Sequence, residues 1–198
     1  MGNRRIGRKR LYALGKLGQT NDNAAGAGMA DTIVSSTVAR DGAQITTEYV
    51  IDLGSSAGAL TSAATDALVI GISSSTGTHS AAYLGQITTA VNGIITDAEV
   101  VCTELPATGE LDIDVVYNAS ATLGFSGSAG ADKLVEAAGD YAFGKNVVGA
   151  GVNDAGVQTE YIYLANGDAH ATPGTAAQTY TAGKLIIRLY GYALADDL

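Results

Sequence analysis

Hydrophobic and polar positions alternate with a period of two along much of this chain. The alternation is clearest in ELDIDVV, where Leu111, Ile113 and Val115 share one face and Glu110, Asp112 and Asp114 the other. Successive side chains of a strand point to opposite faces, so the pattern predicts a half-buried strand with its acids in solvent. KLIIRLYGY repeats it, setting Leu185, Ile187, Leu189 and Gly191 against Ile186, Arg188, Tyr190 and Tyr192. These two stretches belong to β-like runs over 110–117 and 183–192. Others cover 32–40, 43–53, 66–72, 81–88, 93–105, 121–125, 142–149 and 158–165. Turn signals separate them: Asp41-Gly42, Asn92-Gly93, Pro106 to Gly109, Asn166-Gly167 and Pro173-Gly174. Only ADKLVEAAG, residues 131–139, has helical spacing, with Leu134, Val135 and Ala138 on one side and Gly139 as a stop. The expected fold is all-β: an antiparallel β-sandwich, jelly-roll-like, with one short helix and a barrel as the main rival. No repeat at a fixed period points to a solenoid or propeller.

Composition fits that reading. Glycine numbers 26 against two prolines, charge is held to 16%, and 46% of the 198 residues are hydrophobic, enough to fill one generous core. The one cysteine, Cys102, can make no internal disulfide. Its setting in EVVCTEL favours a small buried thiol over a nucleophile, because neither His79 nor His170 lies in a supporting motif. No run approaches the ~18 apolar residues of a membrane span. The N-terminal charges are followed by no apolar block of the kind a secretory signal needs, and no membrane partner is expected.

Charge divides the chain. Six of the eleven Lys and Arg lie in residues 1–16, whereas all twenty Asp and Glu lie from Asp22 onward. The formal −9 is therefore +6 on the first sixteen residues and −15 on the rest. Three parts are expected: a basic docking arm over 1–18, a Gly, Ala and Asn-rich linker over 19–31, and a single β-domain over 32–198. In the arm, Arg4, Arg5, Arg8, Lys9 and Arg10 are interleaved with apolar Ile6, Leu11, Tyr12, Leu14 and Leu17. That mixture suits a segment that lies on another protein and orders as it binds. Nucleic acid and a merely solvated tail are the weaker alternatives.

Catalytic chemistry finds little purchase. The chain holds no HExxH, CxxC or GxSxG, and its glycine-rich GAGMAD and GSAGAD complete no phosphate-loop pattern. The ladder Glu110, Asp112 and Asp114 offers oxygens to a hard cation such as calcium, but alternate strand residues lie about 6.6 to 6.8 Å apart and converge poorly on one ion. A solvated strand face is the favoured reading, and Asp97 with Glu99 carries the same double reading. No enzyme activity, cofactor or metal is expected.

The arm NRRIGRKRLYALGKLG, the central GQITTAVNGIITDAEVVCTELPATGELDIDV and the closing TYTAGKLIIRLYGY resemble a small virion structural protein family of marine tailed bacteriophages. That family is similar in role to head decoration, or cement, proteins. The resemblance covers most of the chain, with 54–80 and 118–157 loosely matched. It implies a β-sandwich subunit on the outer surface of an icosahedral capsid, bound to the major capsid protein and to neighbouring copies of itself, homotrimers being common in the class. On this reading Arg4, Arg5, Arg8, Lys9, Arg10, Leu11, Tyr12 and Leu14 are the partner-binding residues. The alternative is a tail or fibre-associated module that recognises host surface glycan through exposed tyrosines such as Tyr161, Tyr163, Tyr190 and Tyr192.

Overall fold

A computed structural model describes residues 25–29, 34–56, 58–65, 67–73, 81–124, 133–137, 139–142, 144, 146–148, 159–167 and 177–193. Within them the regular structure is almost wholly strand. In order these are β1 (Val34–Asp41), β2 (Gln44–Asp52), β3 (Thr61–Ser62), β4 (Tyr83–Gln86), β5 (Ile94–Ala107) and β6 (Ile113–Asn118). Then come β7 (Lys133–Val135), β8 (Asn146–Val148), β9 (Tyr161–Asn166), β10 (Gln178–Thr179) and β11 (Ala182–Tyr192). A single turn of helix, α1 (Thr89–Asn92), precedes β5.

The strands make a five-stranded sheet of order β1-β2-β11-β5-β8, a four-stranded sheet of order β4-β9-β6-β7 and a small pair β10-β3. All their pairings are antiparallel. Beyond the β1–β2 hairpin, the pairing is nested. β2 meets β11, β3 meets β10, β4 meets β9, β5 meets β8 and β6 meets β7. The chain from β2 to β11 thus runs as one long folded-over ribbon, with β6 and β7 at its bend. Two further pairings, β11 with β5 and β9 with β6, join the ribbon laterally into the two sheets.

One apolar cluster takes side chains from both sheets. Tyr49, Ile51, Val100, Cys102, Leu185, Ile187 and Leu189 come from the five-stranded sheet, and Leu84, Ile113, Val115, Leu134, Ile162 and Leu164 from the four-stranded one. The expected split of β11 holds: Leu185, Ile187, Leu189 and Gly191 are buried, while Ile186, Arg188 and Tyr190 are half-buried and Tyr192 is exposed. Each fully buried Val, Leu or Ile contributes about 1.5 to 3 kcal/mol, so this shared interior is the main source of stability. Cys102 is buried in β5 as expected. The Asp41-Gly42 signal closes the β1–β2 hairpin, with Gly42 at φ +62° supplying the conformation that a two-residue loop demands.

Several expectations need correction. The described part of 131–139, residues 133–137 and 139, does not form the helix that the spacing predicts. Lys133–Val135 is strand β7, with Val135 opposite Val115 and Lys133 opposite Val116. Leu134 and Val135 are both buried there, and pairing with β6 overrides a weak local preference. Instead the described helix is α1, where the Thr88 hydroxyl accepts from the Val91 amide at 3.3 Å and Asn92-Gly93 ends the turn rather than forming a hairpin. The described part of the run 66–72 forms no named strand, and its bridges include Val69 to Ala165 and Gly71 to Thr61. The described part of 121–125 is turn and irregular chain. Residues 25–29, within the segment read as linker, pack on β4: Gly26 and Gly28 donate to the Tyr83 and Ala81 carbonyls at 2.9 Å, and Met29 is fully buried.

Candidate functional site

The outer face of the five-stranded sheet, turned away from the shared core, is organised in rows. On β11 Lys184, Ile186 and Arg188 follow one another on this face, and the register places each between one residue of β2 and one of β5. Lys184 stands between Asp52 and Glu104, with its Nζ 3.9 Å and 3.0 Å from their carboxylates. Arg188 stands between Glu48 and Glu99, its Nε 2.8 Å from Glu48 Oε2 and its Nη1 3.0 Å from Glu99 Oε1. Between these two acid–base–acid rows lies an apolar row, Val50, Ile186 and Val101.

The next residue of the face, Tyr190, donates its hydroxyl to the same Glu99 oxygen at 2.6 Å. Burial, then Glu99, pushes the Tyr190 phenol up to about 12. Hydrogen bonds to Glu48 and Glu99 hold Arg188 more firmly protonated than usual, and the Glu104 hydrogen bond raises Lys184. Both cations are fixed charges, and each row keeps a surplus of one negative charge. Among the described residues, the exposed large hydrophobics all lie on this sheet: Val50, Ile94, Leu105, Val148 and Tyr192. These row partners were not legible in the sequence, because Glu48 and Arg188 are 140 positions apart and only the strand register brings them together.

The carboxylate ladder is a second cluster, and the structure overturns its expected exposure. Glu110, Asp112 and Asp114 are buried, the last two almost completely. Ala137 and Gly139, beyond β7, supply amide donors to Asp114 and Asp112. Glu110 Oε1 accepts from the Leu111 and Asp112 amides at 2.9 and 3.1 Å. Asp112 Oδ1 accepts from Gly139 N at 3.4 Å, and Asp114 Oδ1 from Ala137 N at 2.9 Å. Lys133 Nζ lies 3.0 Å from Asp114 Oδ2, an ion pair without the alignment of a hydrogen bond. Burial raises the nearby Tyr141 and Tyr180 phenols, with Asp114 and Asp112 adding to the first and Glu110 to the second. This cluster fastens a covering segment to β6. Among the described residues no group of three or more His, Cys, Asp or Glu is placed to hold a metal ion. Asp97 and Glu99 likewise work apart: Asp97 Oδ1 accepts from the Ala98 amide at 2.8 Å, whereas Glu99 serves Arg188 and Tyr190.

The four tyrosines expected to be exposed divide. Tyr163 is fully buried, with its hydroxyl on the Ser120 carbonyl, because its side of β9 is covered by Leu123 and neighbours. Tyr161 is half-buried and packs on Tyr83 with ring centroids 4.8 Å apart. Tyr190 is half-buried, and Tyr192 is exposed.

Of the sequence-predicted site residues, Arg4, Arg5, Arg8, Lys9, Arg10, Leu11, Tyr12 and Leu14 lie outside the described residues, as do His79 and His170. No described helix is long and apolar enough to cross a membrane. No protein-family model matches the chain, nor does any curated protein or solved structure.

Proposed function

We propose that this chain is a structural virion protein of a tailed bacteriophage, a decoration or cement protein. It sits on the outer surface of the icosahedral capsid and stabilises it by binding the major capsid protein. Its domain is a jelly-roll β-sandwich. The observation that carries the reading is the nested strand order. A ribbon in which the first strand pairs with the last, the second with the next to last and so inward to the bend is what a jelly roll becomes when unrolled. Jelly rolls recur among viral capsid and lectin domains. Fold alone assigns no function. The sequence resemblance and the split between a +6 arm and a −15 remainder turn the reading toward assembly.

A cement protein works by spreading many modest contacts over neighbouring subunits. The basic and apolar arm of residues 1–18 suits that task, covering a partner's surface at an ordering cost on binding. Deletion of residues 1–18 tests the arm's role: the body stays folded and fails to decorate heads that lack the protein. Full occupancy on heads after the deletion would contradict it.

One observation favours a tail or fibre module recognising glycan, namely the half-buried Tyr83–Tyr161 ring pair, since aromatic faces stack on sugars. The burial of Tyr163 removes one of the residues on which that reading rested. Binding to host envelope polysaccharide that is lost in Tyr161→Ala would favour it over decoration.

A further inference from the structure

The row pattern on the outer face of the five-stranded sheet has no role in holding the two sheets together, and it has the character of the arm in mirror charge. We propose that residues 1–18 of a second copy of this chain dock across this face, with their apolar side chains over the Val50–Ile186–Val101 row and their cations over the acidic rows beside it. The proposal rests on the arm's docking role put forward above, and adds the surface that receives it.

Three observations support it. The first is charge: Asp41, Glu48, Asp52, Asp97, Glu99 and Glu104 belong to this face or its rim, against Lys184 and Arg188, while residues 1–16 carry +6. The existing pairs need not break, because a carboxylate has about four lone-pair sites and accepts from a second cation. The second is spacing. Alternate residues of β11 are about 6.6 to 6.8 Å apart, so an apolar row is flanked at that distance by negative rows on both sides. The arm interleaves its side chains at similarly short range, as in Arg5-Ile6 with Arg8 and in Arg10-Leu11-Tyr12. The third is exposure, since Val50 is 38% exposed and Tyr192 49% on a face whose opposite side is the core.

A second copy fits better than the same chain. Residues 25–29, the first described, bond to the chain at β4 of the four-stranded sheet, beyond the core from the receiving face. An arm reaching its own outer face must travel round the molecule. An arm from a neighbour need not. The resulting contact joins two different surfaces, so it either closes into a ring such as a trimer or continues from copy to copy, and both link neighbouring subunits of a shell.

The test uses full-length protein in solution, mixed from normal and heavy-isotope batches and treated with a zero-length reagent that joins Lys to carboxylates. The expected products link Lys9 or Lys16 to Glu48, Asp52, Glu99 or Glu104 as mixed-isotope pairs, and they decline with added salt. Val50→Lys places a cation in the apolar row and is expected to reduce them about tenfold through like-charge repulsion. Its melting midpoint and circular dichroism report whether it stays folded. An excess of a synthetic peptide of residues 1–18 gives the same reduction without any substitution. Same-isotope pairs alone would place the arm on its own body and overturn the proposal. So would products confined to other carboxylates, or none. Loss of decoration on arm deletion alongside such a result would retire this face while leaving the decoration reading intact.

Discussion

Arg188 of β11 holds Glu99 of β5 at 3.0 Å from its Nη1, while its Nε reaches across to Glu48 of β2 at 2.8 Å. One guanidinium therefore ties three adjacent strands on a face otherwise open to solvent. Isolated surface pairs are worth about 0 to 1 kcal/mol, and Arg188 is a third exposed, so the whole row is worth about 1 kcal/mol. Arg188→Met is expected to lower stability by about that amount, and a double-mutant cycle with Glu99→Gln isolates the pair. Chemical denaturation at low and high salt measures it, with a smaller loss expected at high salt.

Asp114 is a different case because it is almost wholly buried, between the Ala137 amide and the Lys133 ammonium. Asp114→Ala removes the carboxylate that accepts from the buried Ala137 amide and one of the two carboxylates beside Lys133, and is expected to cost about 3 kcal/mol. Glu136, exposed and paired with the same Lys133 at 3.2 Å, is expected to cost under about 0.5 kcal/mol on change to Ala. Denaturation midpoints of the two variants, compared side by side, check that contrast.

Gly167 donates its amide to the Asp112 carbonyl at 2.8 Å, and a Cβ at this position would stand 2.4 Å from the Asp112 carboxyl carbon. No side chain fits without moving a buried carboxylate. Gly167→Ala is expected to destabilise by about 1 to 3 kcal/mol, the usual range for overpacking, as read from the thermal midpoint.

Tyr180 donates its buried hydroxyl to the Glu110 carbonyl at 2.8 Å, and burial raises its pKa well above 10.0. The folded state thus retains a proton that the unfolded chain gives up near pH 10. Stability from this group is complete below that pH and declines as pH rises above it. Tyr163 and Tyr190, both raised to about 12, add to the same alkaline loss. Tyr180→Phe is expected to cost about 1 kcal/mol at neutral pH and to flatten the decline above pH 10. Melting midpoints across the alkaline range, for both proteins, decide it.

The long strands were legible because they are long. In β2, β5 and β11 enough alternate positions are apolar to fix which side faces inward, as Leu185, Ile187 and Leu189 do. The sheet order was not legible, because β2 and β11 are joined by register across more than a hundred residues that no local pattern encodes. β7, with three residues, had too few positions to distinguish period two from helical spacing. The ladder Glu110, Asp112 and Asp114 shows a limit of a different kind. Alternation expected the acids on a solvated side, but only Asp114 lies within β6, whose first four residues are all buried, and a local pattern cannot say that another stretch of chain lies over them. The acid–base–acid rows followed the same rule, with Glu48, Arg188 and Glu99 visible as charged strand residues and invisible as neighbours.

Copy number and position on purified virions test the proposed coating of the capsid most directly. Quantitative gel analysis with image reconstruction is expected to find many copies distributed over the head shell at repeating positions on the major capsid protein. A few copies confined to the tail or a fibre would contradict the account.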